Sequence, residues 1–194
     1  TRENAIQSIV NNLDENDIVV STTGKTSREL YEYRVTKGDG DGKDFLTVGS
    51  MGHAASIAMG IAFRQPKKKI ICLDGDGSAI MHMGTMAIIG QQNLPNFMHI
   101  ILNNGVHDSV GEIPTVGFGI DFVKIAEACR YTKFSSVSQP EELKVELKKQ
   151  NHFGTIFLEI KVNIGSRTNL CRPNNTPIQN RDTLMKALKV KDAR

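Results

Sequence analysis

The chain has 194 residues and a mass of 21.4 kDa, and its 39% hydrophobic content is enough to bury a substantial core, which excludes disorder as the main description. Lysines and arginines number 24 against 21 acids, a formal charge of +3 that is too small and too scattered for a track along a nucleic-acid backbone. A small-molecule or protein partner is expected instead. Cys72, Cys129 and Cys171 are odd in number and far apart with no C-x-x-C pair, so a reducing, cytoplasmic setting fits better than a disulfide framework or a zinc site. The longest weakly polar stretch, Ala54 to Phe63, falls far short of the roughly 20 apolar residues of a membrane span, so a soluble chain is expected. The sequence opens at Thr1 on a polar, charged segment without an initiator methionine or a signal run, as a trimmed terminus or an excised domain would.

In chain order, short runs rich in β-branched residues alternate with longer helical patterns, the signature of βαβ units. The pattern predicts helices at Glu3 to Leu13, Ser27 to Arg34, His53 to Phe63, about Ile80 to Gln91, Asp121 to Arg130, Pro140 to Gln150 and Asn180 to Leu188. Strands are predicted at Ile18 to Ser21, Lys69 to Leu73, Met98 to Asn103, Tyr131 to Ser135 and Thr155 to Ile160, several of them continuously apolar as burial on both faces requires. The expected architecture is a three-layer, doubly wound α/β domain over residues 1–194, with a mostly parallel sheet and helices on both faces; the strand order is not readable. Pro140 followed by Glu141 and Glu142 is a good helix start, because proline suits the first turn and acids favour its positive end. Lys37 to Asp44, KGDGDGKD, reads as an exposed loop; a calcium loop is disfavoured because Ser50 stands where an EF-hand has its last acid. Gly165 to Gln179 reads as an irregular arm leading to the last helix.

The constellation that carries chemistry is Lys69-Ile-Ile-Cys-Leu-Asp-Gly-Asp-Gly-Ser78, a strand that ends in Gly75-Asp76-Gly77 and feeds a helix. Glycines let backbone approach a ligand, amides opening a helix attract phosphate oxygens, and a strand-end carboxylate can take a divalent cation. The next strand ends in Asn103-Asn104-Gly105, and 104 − 76 = 28 residues is one strand-helix-strand unit, so both strand ends can lie together at the carboxyl edge of a parallel sheet. One Mg²⁺ could then take oxygens from Asp76 and Asn104. GDG alone is a weak signal, since Gly38-Asp39-Gly40 and Gly40-Asp41-Gly42 occur with no strand before them. Thr22-Thr-Gly-Lys-Thr-Ser-Arg-Glu29 follows a strand and opens a helix, but it is no P-loop, because Val19 stands where the first glycine is required.

GDG after IICLD, paired with the later NN, resembles the diphosphate-binding domain of thiamine-diphosphate enzymes. TTGKTSREL, DFLTVGSMGHA, GDGSAIMHMG, NNGVHDSVG and CRPNNTPIQN together are similar to the phosphonopyruvate decarboxylase family, with sulfopyruvate decarboxylase β subunits next. The resemblance covers nearly the whole chain. It implies thiamine diphosphate and Mg²⁺ as cofactors, with the cation held by Asp76, Asn104 and the Val106 carbonyl. It implies diphosphate contacts from Thr22, Gly24, Lys25, Thr26, Gly75, Gly77 and Ser78. It also implies that Gly49, Ser50 and Met51 hold the aminopyrimidine, the Gly49 carbonyl accepting its amino group and Met51 wedging between the rings; packing is the alternative for Met51.

The reaction implied is decarboxylation of 3-phosphonopyruvate to phosphonoacetaldehyde and CO₂. Sulfopyruvate decarboxylase or an acetolactate-synthase-like subunit is the alternative, and a non-catalytic diphosphate-binding assembly subunit is a reading of another class. Members of the family also carry a pyrimidine-binding domain whose glutamate activates the cofactor. No such segment is recognisable here, so the chain is expected to be half of an active site that needs a pyrimidine-binding domain or subunit, within an oligomer. For the anionic 2-oxo acid, Lys25, Arg28, His53, His107 and Arg172 are cationic candidates, and His107 is the expected catalytic residue, for substrate binding or proton transfer. His82 and Met83 are expected at the start of the helix after GDG, in packing roles. Glu112 stands where a small neutral residue is expected in relatives.

Overall fold

The computed structural model describes residues 1–39, 43–149 and 154–189. The middle of the glycine-rich loop, Gly40 to Gly42, the predicted helix end at Gln150 and the residues from Val190 onward lie outside them.

Six strands form one sheet: β1 (Ile18–Ser21), β2 (Asp44–Leu46), β3 (Ile70–Gly75), β4 (Asn96–Asn103), β7 (Lys133–Val137) and β8 (Gly154–Lys161). Their order is β2-β1-β3-β4-β8-β7, and every pairing is parallel. A separate antiparallel hairpin joins β5 (Val106–His107) to β6 (Ile113–Pro114). Strands β1 and β4 are buried along their whole length, which is why they read as unbroken runs rather than alternating ones.

Because side chains alternate along a strand, the sheet has two apolar faces and needs two covering layers. On one face, Val19, Ile71, Leu73, Ile100 and Leu102 pack against α1 (Arg2–Asn11), α2 (Lys25–Lys37) and α7 (Pro140–Lys149). On the other, Ile18, Val20, Ile70, Cys72 and Ile101 meet α3 (Ala54–Arg64), α5 (Gly84–Gln92), α6 (Phe122–Ala128) and α8 (Pro177–Ala187). The expected three-layer α/β architecture is therefore present.

Several boundaries differ from expectation. Edge strand β2 was missed because DFL is short and charged at its start. Its Asp44 is buried against Arg34 (Nε–Oδ2 2.8 Å), and Asn180 of α8 accepts from Leu46 N and donates to Asp44 O, both at 2.9 Å. Helix α8 begins at Pro177, three residues before the predicted Asn180, because Thr176 and Gln179 form a reciprocal capping box. β7 starts at Lys133 instead of Tyr131, whose ring is buried, edge-on to Phe157 with centroids 5.8 Å apart. The helix predicted from about Ile80 is two helices: α4 (Asp76–Met81) begins inside the GDG turn and α5 follows a break at His82 and Met83. His82 thus caps the end of α4, whereas Met83 caps the start of α5.

Close packing between α5 and the end of α6 depends on Gly90. A methyl group there would lie 1.7 Å from the Cys129 carbonyl oxygen. Gly90→Ala is expected to destabilise by about 3 kcal/mol, the upper part of the overpacking range. At about 2–4 °C per kcal/mol for a chain of this size, that lowers the thermal midpoint by roughly 6–12 °C. Gly84→Ala, whose methyl meets nothing within 4 Å, serves as the control in the same melting experiment.

Candidate active site at the carboxyl edge of the sheet

From β1 the chain goes outward to β2, whereas from β3 it goes the other way to β4, so the strand order diverges between β1 and β3. Such a switch point leaves a crevice beyond the carboxyl ends of the two strands. Here the two sides are tied together by hydroxyl and amide contacts. Thr22 N donates to Leu73 O at 2.8 Å, Thr22 Oγ1 donates to Ser78 Oγ at 2.9 Å, and Gly52 N donates to the same Ser78 Oγ at 3.0 Å.

Strand β4 enters from the other flank. Its parallel register pairs Gly75 with Leu102, which sets Asp76 beside the Asn103-Asn104 turn as the motif spacing predicts. The hairpin that follows folds back over both turns: Thr115 Oγ1 donates to Asp76 Oδ2, Thr115 N donates to Gly105 O at 2.8 Å, and Asn103 Nδ2 donates to Gly117 O at 2.9 Å. This closeness demands glycine. A methyl at Gly77 would come 2.3 Å from His107 Cε1, and one at Gly117 would come 2.5 Å from Asp76 Oδ2.

The resulting cavity has a volume of about 200 Å³. Its walls bring together Thr22, Gly24, Lys25, Thr26, Met51, Gly75, Asp76, Gly77, Ser78, Asn104, Val106 and His107, all singled out in the sequence. Gly49 and Ser50 are exposed and are not among its lining residues, and neither are Arg28, His53 and Arg172. Glu112 is exposed on the hairpin turn with φ 59°, a left-handed conformation that glycine adopts most easily, and it does not line the cavity. A larger hollow, about 560 Å³, lies at the opposite edge between Asp17, Lys69, Asn96 and Gly154. Since ligands of open parallel sheets sit at the carboxyl edge, the smaller cavity with its convergent polar groups is the candidate site.

Three residues were missed in the sequence: Arg2, Asp108 as more than a loop neighbour of His107, and Thr115. Arg2 alone left a faint signal, a cation in the first turn of a helix, where the dipole disfavours it. It is 4% exposed and lines the cavity.

Burial pushes the Asp76 carboxyl above its ordinary range, against the pull of the Thr115 hydroxyl and of backbone N–H groups of Asn104, Asp76 and Gly77. Beneath it, Asp74 Oδ1 accepts from Gly75 N at 3.0 Å, its Oδ2 lies 3.5 Å from His99 Nε2, and His99 Nδ1 is 3.1 Å from the Tyr131 hydroxyl. Asp74 Oδ2 and His99 Nε2 are both buried without a hydrogen-bond partner. Candidate metal donors at the surface of the cavity are the Asp76 carboxylate, the Asn104 amide oxygen and the Val106 carbonyl, the other carboxylate on its wall, Asp108, being engaged by Arg2, Asn104 and Gly165. An all-oxygen set with one carboxylate suits a hard cation such as Mg²⁺ beside a phosphate. The donor chemistry therefore fits the implied cofactor pair.

A parallel α/β sheet with a glycine-lined cavity at its switch point defines the class of nucleotide- and diphosphate-binding folds. The model of one family, thiamine pyrophosphate enzyme, C-terminal TPP binding domain, matches residues 22–160. The chain belongs to that family. It is 36% identical over 180 residues to phosphonopyruvate decarboxylase of Streptomyces viridochromogenes, covering 92% of this chain and 44% of that protein. It is 34% identical over 148 residues to sulfopyruvate decarboxylase subunit beta of Methanocaldococcus jannaschii, covering 76% of this chain and 75% of that subunit. A solved structure from Mycobacterium smegmatis, assigned as a thiamin diphosphate-dependent enzyme, superposes with a TM-score of 0.61 at 21% identity, over 83% of this chain and 32% of that one, a likeness of fold. The chain spans less than half the length of the phosphonopyruvate decarboxylases it matches. Among the described residues no helix is long and apolar enough to cross a membrane.

Proposed function

We propose that this chain forms the diphosphate- and Mg²⁺-binding half of a thiamine-diphosphate-dependent decarboxylase acting on 3-phosphonopyruvate, with phosphonoacetaldehyde and CO₂ as products. The observation that carries the reading is the meeting of the Asp76 and Asn104 turns at the switch-point cavity of a chain in this family. Asp76, Asn104 and the Val106 carbonyl would hold Mg²⁺. Thr22, Gly24, Lys25, Thr26, Gly75, Gly77 and Ser78 would surround the diphosphate. Once bound, the cofactor supplies an electron sink for the pair released as CO₂ departs. Met51, on the cavity wall, would support the cofactor's bend, with Gly49 and Ser50 facing the aminopyrimidine from outside the cavity as it stands. His107, whose ring lies against Gly77, would bind the substrate's acidic end or hold a proton for the product carbon.

A pyrimidine-binding domain or subunit would complete the site, within an oligomer. Val110, Ile113, Val116 and Phe118 are each more than half exposed on the hairpin segment that reaches Asp76, and apolar groups clustered beside a cavity suit a covering protein surface. Sulfopyruvate is the second reading of the substrate, favoured by the fuller span of the Methanocaldococcus subunit that the chain matches. The test is a comparison of both acids with the chain, a pyrimidine-binding partner, thiamine diphosphate and Mg²⁺. Faster CO₂ release from phosphonopyruvate is expected. Preference for sulfopyruvate would reassign the substrate, and assembly without turnover on either acid would leave a non-catalytic subunit.

A further inference from the structure

Arg2 has been taken out of water at the one end of a helix where its charge is unfavourable, and its partners explain why it stays. Nε and Nη2 form a fork on the Glu29 carboxylate at 2.7 and 3.0 Å, and Nη1 donates to Asp108 Oδ2. Burial works against the guanidinium charge, yet Glu29 and Asp108 together hold its pKa above the ordinary value. Asp108 also accepts from Asn104 Nδ2 at 3.0 Å and, on its other oxygen, from Gly165 N at 3.3 Å. A continuous chain of charged and polar contacts therefore runs from α2 through Arg2 and Asp108 to the side chain of Asn104.

We infer that Arg2 and Asp108 are positioning residues that orient the Asn104 amide for metal binding. The inference rests on the reading of Asn104 as an Mg²⁺ ligand. The two ends of an amide are nearly the same shape, but a hard cation accepts only the oxygen end. A carboxylate has no proton to donate, so Asp108 can bind only the NH₂ end, and Oδ1 is left to face the cation. Asn104 Oδ1 also accepts from Val106 N at 3.2 Å, which keeps the ligand carbonyl of Val106 in register with it. Arg2 fixes Asp108 in turn. It is not a spare cation for the substrate, because its guanidinium is already engaged by the carboxylates of Glu29 and Asp108.

Asp108→Asn keeps size and shape but lets residue 108 offer either end of an amide, so the selection of the Asn104 oxygen is lost. The experiment titrates Mn²⁺ into the full chain with thiamine diphosphate, following free Mn²⁺ by electron paramagnetic resonance, beside a thermal melt of each variant. The half-saturating Mn²⁺ concentration is expected to rise about 10- to 100-fold in Asp108→Asn, with a lower melting midpoint because Arg2 loses one of its two buried carboxylate partners, and with cofactor binding regained at saturating Mn²⁺. Recovery at high metal is a readout that a merely structural defect would not produce. Arg2→Lys retains charge but lacks the fork that spans two carboxylates, so an intermediate rise is expected. An Asp108→Asn protein with the wild-type Mn²⁺ affinity, or one whose binding stays lost at saturating Mn²⁺, would overturn the inference while leaving the proposed function standing. A wild-type chain showing no Mn²⁺-dependent cofactor binding would remove both.

Discussion

Asp76→Ala abolishes Mg²⁺-dependent binding of thiamine diphosphate in a calorimetric titration, and Asn104→Ala weakens it less. That is the result expected from the proposed donor set, in which Asp76 would bring the only carboxylate and Asn104 a neutral carbonyl. The fold should survive, since both side chains belong to strand-end turns outside the two apolar clusters. Unchanged affinity in Asp76→Ala would rule out the assigned site.

The pH dependence of the metal-free chain gives an independent check. Burial raises the Asp76 pKa above its unfolded value. Its favourable contribution is therefore full below the unfolded value, near pH 4, and is lost as pH rises through the higher folded value. Above that window Asp76→Asn should melt at or above the wild-type temperature without metal. Below about pH 4 the two proteins should melt alike, because both side chains are then neutral. Both outcomes together would mark Asp76 as a residue that weakens its own fold while its ligand is absent.

The second large effect is on turnover. Decarboxylation of phosphonopyruvate by the purified 194-residue chain is expected to be undetectable, and adding a pyrimidine-binding partner should bring it up to a measurable rate. Exclusion of water by a second protein surface is what would make fixed charges and oriented reactants effective. The activating glutamate is also expected from that partner. Glu112, the acid that the sequence offers as a substitute, is exposed on the hairpin turn and outside the cavity wall. Turnover by the chain alone would refute the two-part site and make Glu112→Gln the next variant to assay. Self-association through Val110, Ile113, Val116 and Phe118 is expected in its absence, read as a rise in apparent mass with concentration.

Local chemistry was legible in the amino-acid order. A short β-branched apolar run bounded by turn residues reads as a buried strand, a glycine-acid-glycine turn after it can bring backbone and carboxylate to one point, and one βαβ unit of spacing can return the chain to the same edge. Those constraints act over a few residues or a single crossover, so Asp76 and Asn104 could be placed at one sheet edge before any coordinates, while Lys25 and His107 joined them as candidates through the resemblance to the family. Edge strand β2 could not be read, because Asp44 owes its burial to Arg34 and to Asn180 in the last helix. The junction of α4 and α5 was equally hidden, since α4 is a helix of only six residues that starts on the turn itself. Arg2 and Asp108 are separated by 106 residues, and Thr115 and Asp76 by 39. Their contacts exist because two helices and a hairpin are packed onto the same sheet edge, and that packing is settled by the sum of many weak apolar contacts, none of which marks the polar partners it will bring together.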